Sequence, residues 1–314
     1  MRLALAFCVL ALPAMADIDA AVDDHILPRL ADLSQATTAL ATAAETGCDA
    51  LQDPFREAAE AWASAAHLMF GPGEDGGRAS AIQFWPDARN ATGRGLRLLA
   101  QQGAEAWTPE ALARASVAAR GLGALERAIF DGAAPCPLTQ ALTADLAATA
   151  AAIEAGRRDG FAATLRTASA EGNTRFLAPE EAEAALFTTL MTGLEFTATQ
   201  RLGRPMGTFA EPRPLRAEMR RSGRSLANVT AALTALRDLA ATLAEAPQTD
   251  AAFARAISLA EGLDDPVFAG VETTGGRLRV EALQTAVNET GRTANAEIGA
   301  ALGVQAGFNR LDGD

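Results

Sequence analysis

Arg216, Arg220 and Arg224 recur at i, i+4 and i+8, so on a helix their guanidiniums stack along one face. Like charges in such a row repel by about 0.2–0.5 kcal/mol per exposed pair. A chain places them together where carboxylates, carbonyls or an anionic ligand answer them, and the chemistry on offer is bidentate recognition of an oxyanion. The row belongs to a wider gathering in which Arg201, Arg204, Arg213 and Arg221 join it. Pro212 and Pro214 mark a helix entrance ahead of it, because proline is tolerated in the first turn and not deeper. An exposed basic stripe paired with surface carboxylates is the plainer alternative.

Glu126 is the acid expected to answer this row. It sits in GLGALERAIF beside Leu125, Ala128 and Ile129, which predicts a half-buried carboxylate that needs a partner. The expectation is that Glu126 faces Arg216, Arg220 and Arg224 across a cleft; a surface glutamate beside Arg127 is the alternative. Trp85 and Asp87, in the turn IQFWPDARN at 82–90, are candidate walls of the same site, although Asp87 could equally cap the following segment. His25 and His67 are the chain's two histidines, and Glu60 shares a helix face with His67 seven residues on. Glu60, His67 and Glu126 are therefore the candidate metal ligands, though nothing fixes them together. The glycines Gly71, Gly73 and Gly76 spell GxGxxG, but no strand precedes them and acids fill the loop, so it is not read as a phosphate cradle. HExxH and G-x-S-x-G are both missing, which leaves hydrolytic chemistry without its residues.

The elements that must position these groups read as helices. Apolar residues recur at helical spacing over 17–46, and Asp53-Pro54, Thr108-Pro109-Glu110 and Ala178-Pro179-Glu180-Glu181 are helix starts. The helix opened at 108 is expected to run to Gly132. Leu186, Leu190, Leu194 and Ala198 share one face of a later helix, the arginine helix continues to about Leu243, and a last helix begins near Val280 after a small hairpin around Gly275-Gly276. No long period-two alternation and no strand–helix–strand units occur. The fold expected is all-α, with two four-helix-bundle-like domains over 17–156 and 157–314 and a boundary in the polar stretch 156–160.

Residues 1–16 read as a secretory signal, with Arg2, an apolar run from Leu3 to Leu12, and Ala14-Met15-Ala16 before Asp17. No other segment is apolar enough to span a membrane, and the periplasm is the expected compartment. Removal of the signal leaves Cys48 and Cys136, which in an oxidising compartment most simply form one disulfide. The whole chain carries 27 basic and 39 acidic residues, a net charge of −12. That argues against nucleic acid or an anionic membrane as partner.

The stretches Gly71-Pro72, IQFWPDARN, GLGALERAIFD at 121–131 and LGRPMGTFAEPRPLRAEMRRSGRSLANV at 202–229 together resemble the imelysin-like family, also catalogued as peptidase family M75 and including periplasmic iron-regulated proteins. The resemblance covers nearly the whole mature chain. It implies two helical bundles related by internal duplication, a ligand site at their interface, and a role in bacterial iron acquisition with iron as the cofactor or cargo in view. The family's GxHxxE signature reads Gly121-Leu122-Gly123-Ala124-Leu125-Glu126 here, with glycine at the histidine position. The chain thus resembles the branch lacking that histidine. The expectation is a non-catalytic protein that binds a small anionic or metal-bearing ligand; an accessory that docks a periplasmic protein partner, or a metallopeptidase, are the alternatives.

Overall fold

The computed structural model describes residues 16–304; the signal stretch up to Met15 lies outside them. Among the described residues every regular element is helical, as the periodicity requires. Four helices dominate the first half: α1 (Leu27–Thr46), α2 (Gln52–Ala65), then, after the short α3 (Ala91–Gln102), α4 (Gly121–Phe130) and α5 (Cys136–Gly156). Four more make the second: α6 (Pro179–Phe196), α7 (Ser225–Leu243), α8 (Pro247–Glu261) and α9 (Thr274–Ala301). In α1, Leu30, Leu33, Thr37, Leu40 and Ala44 are buried, the spacing of a single apolar stripe. They pack on the buried Leu138, Leu142, Leu146, Ala150 and Ile153 of α5. The Cys48–Cys136 disulfide, with Cα atoms 5.7 Å apart, ties the end of α1 to the start of α5. The two halves meet where α2 packs against α7, and one apolar core runs through both. The face expected on α6 is buried at Leu186, Leu190, Leu194 and Ala198.

Three local expectations fail for identifiable reasons. The region from 109 to 132 is broken into Pro109–Arg114, a 3-10 turn at Val117–Ala119 and α4. Ala115 and Ser116 turn extended, with ψ of 159° and 130°, and end the first piece, while Gly121, with a φ of +70°, starts α4 afresh. Around Gly275-Gly276 there is a helix start instead of a hairpin. Thr273 accepts the N–H of Gly276 to cap α9, and a Cβ on Gly276 would lie 2.1 Å from the Gly270 carbonyl oxygen. Gly276 is glycine for close approach, not for a β-turn; a Cβ at Gly275 would meet nothing within 4 Å. The arginine helix is also absent: after a 3-10 turn at Pro214–Arg216 the chain makes a compact strap of turns over 217–224, and α7 begins at Ser225. The stretch 156–160 is helical, since α5 runs on into a π-helical segment, Arg157–Phe161.

Candidate functional site

The site is built on the start of α4. A Cβ at Gly121 would fall 2.1 Å from the carbonyl oxygen of Ala81 and 2.4 Å from that of Ile82. Only glycine allows this docking, and it presses α4 onto the residues that lead into the turn at 82–90. Gly123 and Glu126, on that side of α4, then line one cavity with Gln83, Trp85, Asp87 and Thr92. Trp85 packs edge-on to Phe196 of α6, ring centroids 5.8 Å apart, and bridges the halves.

Glu126 is 5% exposed. Its Oε1 accepts both the backbone N–H and the hydroxyl of Ser222, each at 2.9 Å, and Arg221 Nη1 stands 3.9 Å from its other oxygen. Burial pushes this carboxyl above the ordinary glutamate range, against the pull of Ser222 and Arg221. The partner of Glu126 is therefore the strap's Ser222 with Arg221, and not the row Arg216/Arg220/Arg224. The row does not exist as a face because the strap is not a helix. Met219 and Gly223 take φ of +48° and +74°. The Met219 carbonyl, 3.0 Å from Ser222 Oγ, is a second acceptor for that hydroxyl's one proton, and Ser225 Oγ donates to the Glu218 carbonyl at 2.5 Å, local bonds that compete with a helical ladder.

The three arginines are accordingly dispersed. Arg216 lines the cavity. Arg224 pairs with Glu60, and Arg220 holds a buried Nε without a hydrogen-bond partner away from the cavity lining. In place of the last two, Arg127, Arg204 and Arg221 complete the lining of a space of about 230 Å3. Four arginines thus face two carboxylates. Asp87 is already committed: its two oxygens accept the N–H groups of Ala91 and Thr92 at 2.7 and 2.9 Å, capping α3. Burial alone would raise its pKa; those N–H bonds win and hold it below the usual carboxylate range. Arg221 is committed to Asp131 at 2.5 Å. Arg127 and Arg204 donate only to neutral amide oxygens, those of Asn90 (2.8 Å) and Gln200 (3.4 Å). Both have lowered pKa values, through burial and then through a like charge: Arg221 beside Arg127, and Arg216 beside Arg204. The cavity is a pocket of positive potential in an acidic protein.

The candidate metal ligands do not converge. Glu60 is held by Arg224, Glu126 by Ser222, and His67 by the other histidine: His25 Nε2 and His67 Nε2 are 2.8 Å apart, one ring donating to the other. Burial, then Arg29 and Arg201, depresses His67 to about 3, and burial, His67 and Arg29 depress His25 further. Among the described residues no three His, Cys, Asp or Glu side chains form a metal-ligand group, and the arginines of the cavity repel a bare cation. The reading from residues missed Ser222, Arg127, Arg204 and the His25–His67 contact. Arg204 and Arg221 stood in the arginine gathering, but only the strap's turns select them.

The family model of peptidase M75, imelysin, matches residues 26–294. Two solved structures are similar. An imelysin-like protein from Psychrobacter arcticus superposes with a TM-score of 0.76 at 20% identity, covering 93% of this chain and 96% of that one. A protein from Parabacteroides distasonis, provisionally named an iron-regulated protein A precursor, superposes with a TM-score of 0.71 at 13% identity, covering 94% and 96%. No curated protein matches the sequence. Among the described residues no helix is long and apolar enough to cross a membrane. With a match running through most of its length, this chain belongs to the imelysin family.

Proposed function

We propose that this chain is a non-catalytic periplasmic binding protein that takes a small polyanion, free or as its ferric chelate, in the Glu126 cavity. One observation carries the reading: Arg127, Arg204 and Arg216 converge on one small space without a salt bridge of their own, two of them under like-charge stress that, for Arg127, the nearby Asp87, Asp131 and Glu126 offset in part. A multivalent oxyanion relieves that stress, and guanidinium forks bind carboxylate groups bidentately. Glu126 acts as a positioning group that fixes the strap through Ser222. Iron arrives in this scheme as cargo inside an anion, since Gly123 supplies no imidazole and both carboxylates of the lining are spent on N–H donors.

The test is titration calorimetry of the signal-free protein with citrate, ferric citrate and free Fe(II) and Fe(III). Citrate or its ferric chelate should bind, more weakly as salt rises, and Arg216→Ala should weaken it at least tenfold. Binding of free iron that is lost in Glu126→Ala would overturn the chelate reading and make Glu126 a ligand. No binding of any of these by the wild type would overturn the polyanion itself. A second reading, an accessory that docks a periplasmic partner, is favoured by Phe209 and Leu215, 78% and 74% exposed on the loop that also carries Arg213 and Arg216. It predicts salt-sensitive pull-down of one acidic partner, abolished by Phe209→Ser, which lies outside the cavity lining, with citrate binding intact.

A further inference from the structure

A second, larger cavity of about 530 Å3 opens between α2, α6 and α7. It shares only Gln83 and Trp85 with the Glu126 cavity. Its walls combine apolar and aromatic groups, among them Trp62, Phe70, Trp85, Phe196 and Leu236, with polar ones that include Glu74 and Glu218. At Gly193 a Cβ would lie 2.5 Å from Leu236 Cδ2 and 3.3 Å from the His67 Cβ, so a glycine there lets α6 close the cavity against both neighbours. Space of this size that combines apolar surface with several polar groups is the form that small organic ligands fill.

The polar groups have a pattern. Arg201, 3% exposed, pairs through Nε with Glu218 at 2.8 Å and donates through Nη1 to Thr197 Oγ1 at 3.3 Å. Its Nη2 is buried and bonds nothing, and Gln83 Oε1 on another wall is likewise a buried acceptor without a donor. Buried donors left unmatched cost about 1–3 kcal/mol each, so a native cavity that keeps one is shaped for something that arrives. Arg29 and Arg201 both oppose a proton on His67, while Arg201 is itself paired with Glu218 and Glu74 also lines the cavity. The open donor for an anionic head is therefore the one unbonded nitrogen, Arg201 Nη2.

From this geometry we infer that the α2/α6/α7 cavity binds a hydrophobic monocarboxylate, its flat apolar body between Trp62, Trp85 and Phe196 and its carboxylate on Arg201 Nη2. The site is separate from the polyanion cavity. The two differ in what they reject: the larger needs an apolar body, the smaller a multiply charged one.

The probe is 2-naphthoate, titrated by calorimetry and by quenching of tryptophan fluorescence, since Trp62 and Trp85 line the cavity. One equivalent should bind. The neutral 2-naphthamide should bind at least tenfold more weakly, and Arg201→Lys should weaken naphthoate by a similar factor. Arg201→Lys disturbs the buried pair with Glu218, so Thr192→Phe is the companion variant: Thr192 is an exposed lining residue outside the bonds of that pair, and phenylalanine adds bulk to the wall. It should abolish binding. Glu126→Gln and Arg216→Ala should leave it within twofold. The proposal falls if naphthoate fails to bind the folded wild type, or binds Thr192→Phe as well as wild type. It also falls if binding is lost in Arg216→Ala, which would move the ligand into the smaller cavity. Citrate binding is read on the same variants and responds to Arg216→Ala alone, so either site can fail without the other.

Discussion

Glu126 and Ser222 show how little of a residue's role is carried by its own type. The sequence marks Glu126 as a buried acid in search of a donor, and it is one. It does not mark Ser222, because a serine beside arginines looks incidental until the strap folds and turns its N–H and hydroxyl inward. Removing the acceptor strands the Ser222 N–H, while the hydroxyl keeps the Met219 carbonyl. Glu126→Ala should cost about 1–3 kcal/mol in denaturant unfolding, whereas Glu126→Gln keeps an oxygen for Ser222 and removes a buried charge, so it should lie within about 1 kcal/mol of wild type. Equal losses in the two would mean that the Ser222 bonds contribute nothing. The histidines give a pH dependence of definite sign. Both are depressed in the folded state, so their contribution is fully present above the unfolded value near 6.5 and is lost as pH falls, at up to about 1.4 kcal/mol per histidine per pH unit. Between pH 6.5 and 5.5 the pair should remove about 2 kcal/mol of stability. A His25→Leu/His67→Leu variant should lose that slope; retention of the full slope would show that other groups set it.

At the level of elements, the two glycines that open α4 separate shape from chemistry. Gly121 has carbonyl oxygens where a side chain would be, and Gly123 has only Gln83, Thr92 and Phe84 at 3.6–3.9 Å from a built Cβ, which is ordinary contact. Gly121→Ala should cost several kcal/mol or prevent folding, whereas Gly123→Ala, in a helix interior, should raise stability by about 0.5–1 kcal/mol. Thermal unfolding of the two variants side by side checks this, and similar losses in both would show that Gly123 too is held by packing. The helices α1, α5, α6 and α9 were legible because their apolar residues repeat at one period and their ends carry proline, threonine or glycine. The strap was not, since the i, i+4, i+8 arginines mimic a helix face while Met219 takes a left-handed φ that no residue type announces. The hairpin expected at Gly275-Gly276 failed for a related reason. Glycine signals a special backbone or a close neighbour, and only the fold says which.

Across the whole molecule, the disulfide decides how the site is held. Closing the 88-residue separation between Cys48 and Cys136 should be worth about 4 kcal/mol in the chain-entropy description. Reduction, or Cys48→Ser/Cys136→Ser, should lower stability by that order, measured as a shift of the denaturant midpoint; an unchanged midpoint would show that the packing of α1 on α5 already holds the two ends together. Every first-half residue lining either cavity, from Trp62 to Arg127, lies between those two cysteines. The near wall of both cavities is therefore a closed covalent ring, set against a free-ended wall from α6, the strap and α7. The ring can close only once the chain has reached Cys136, so oxidation cannot lock in a wall that is still incomplete. Once closed, a single protease cut inside it releases no fragment until a reductant arrives.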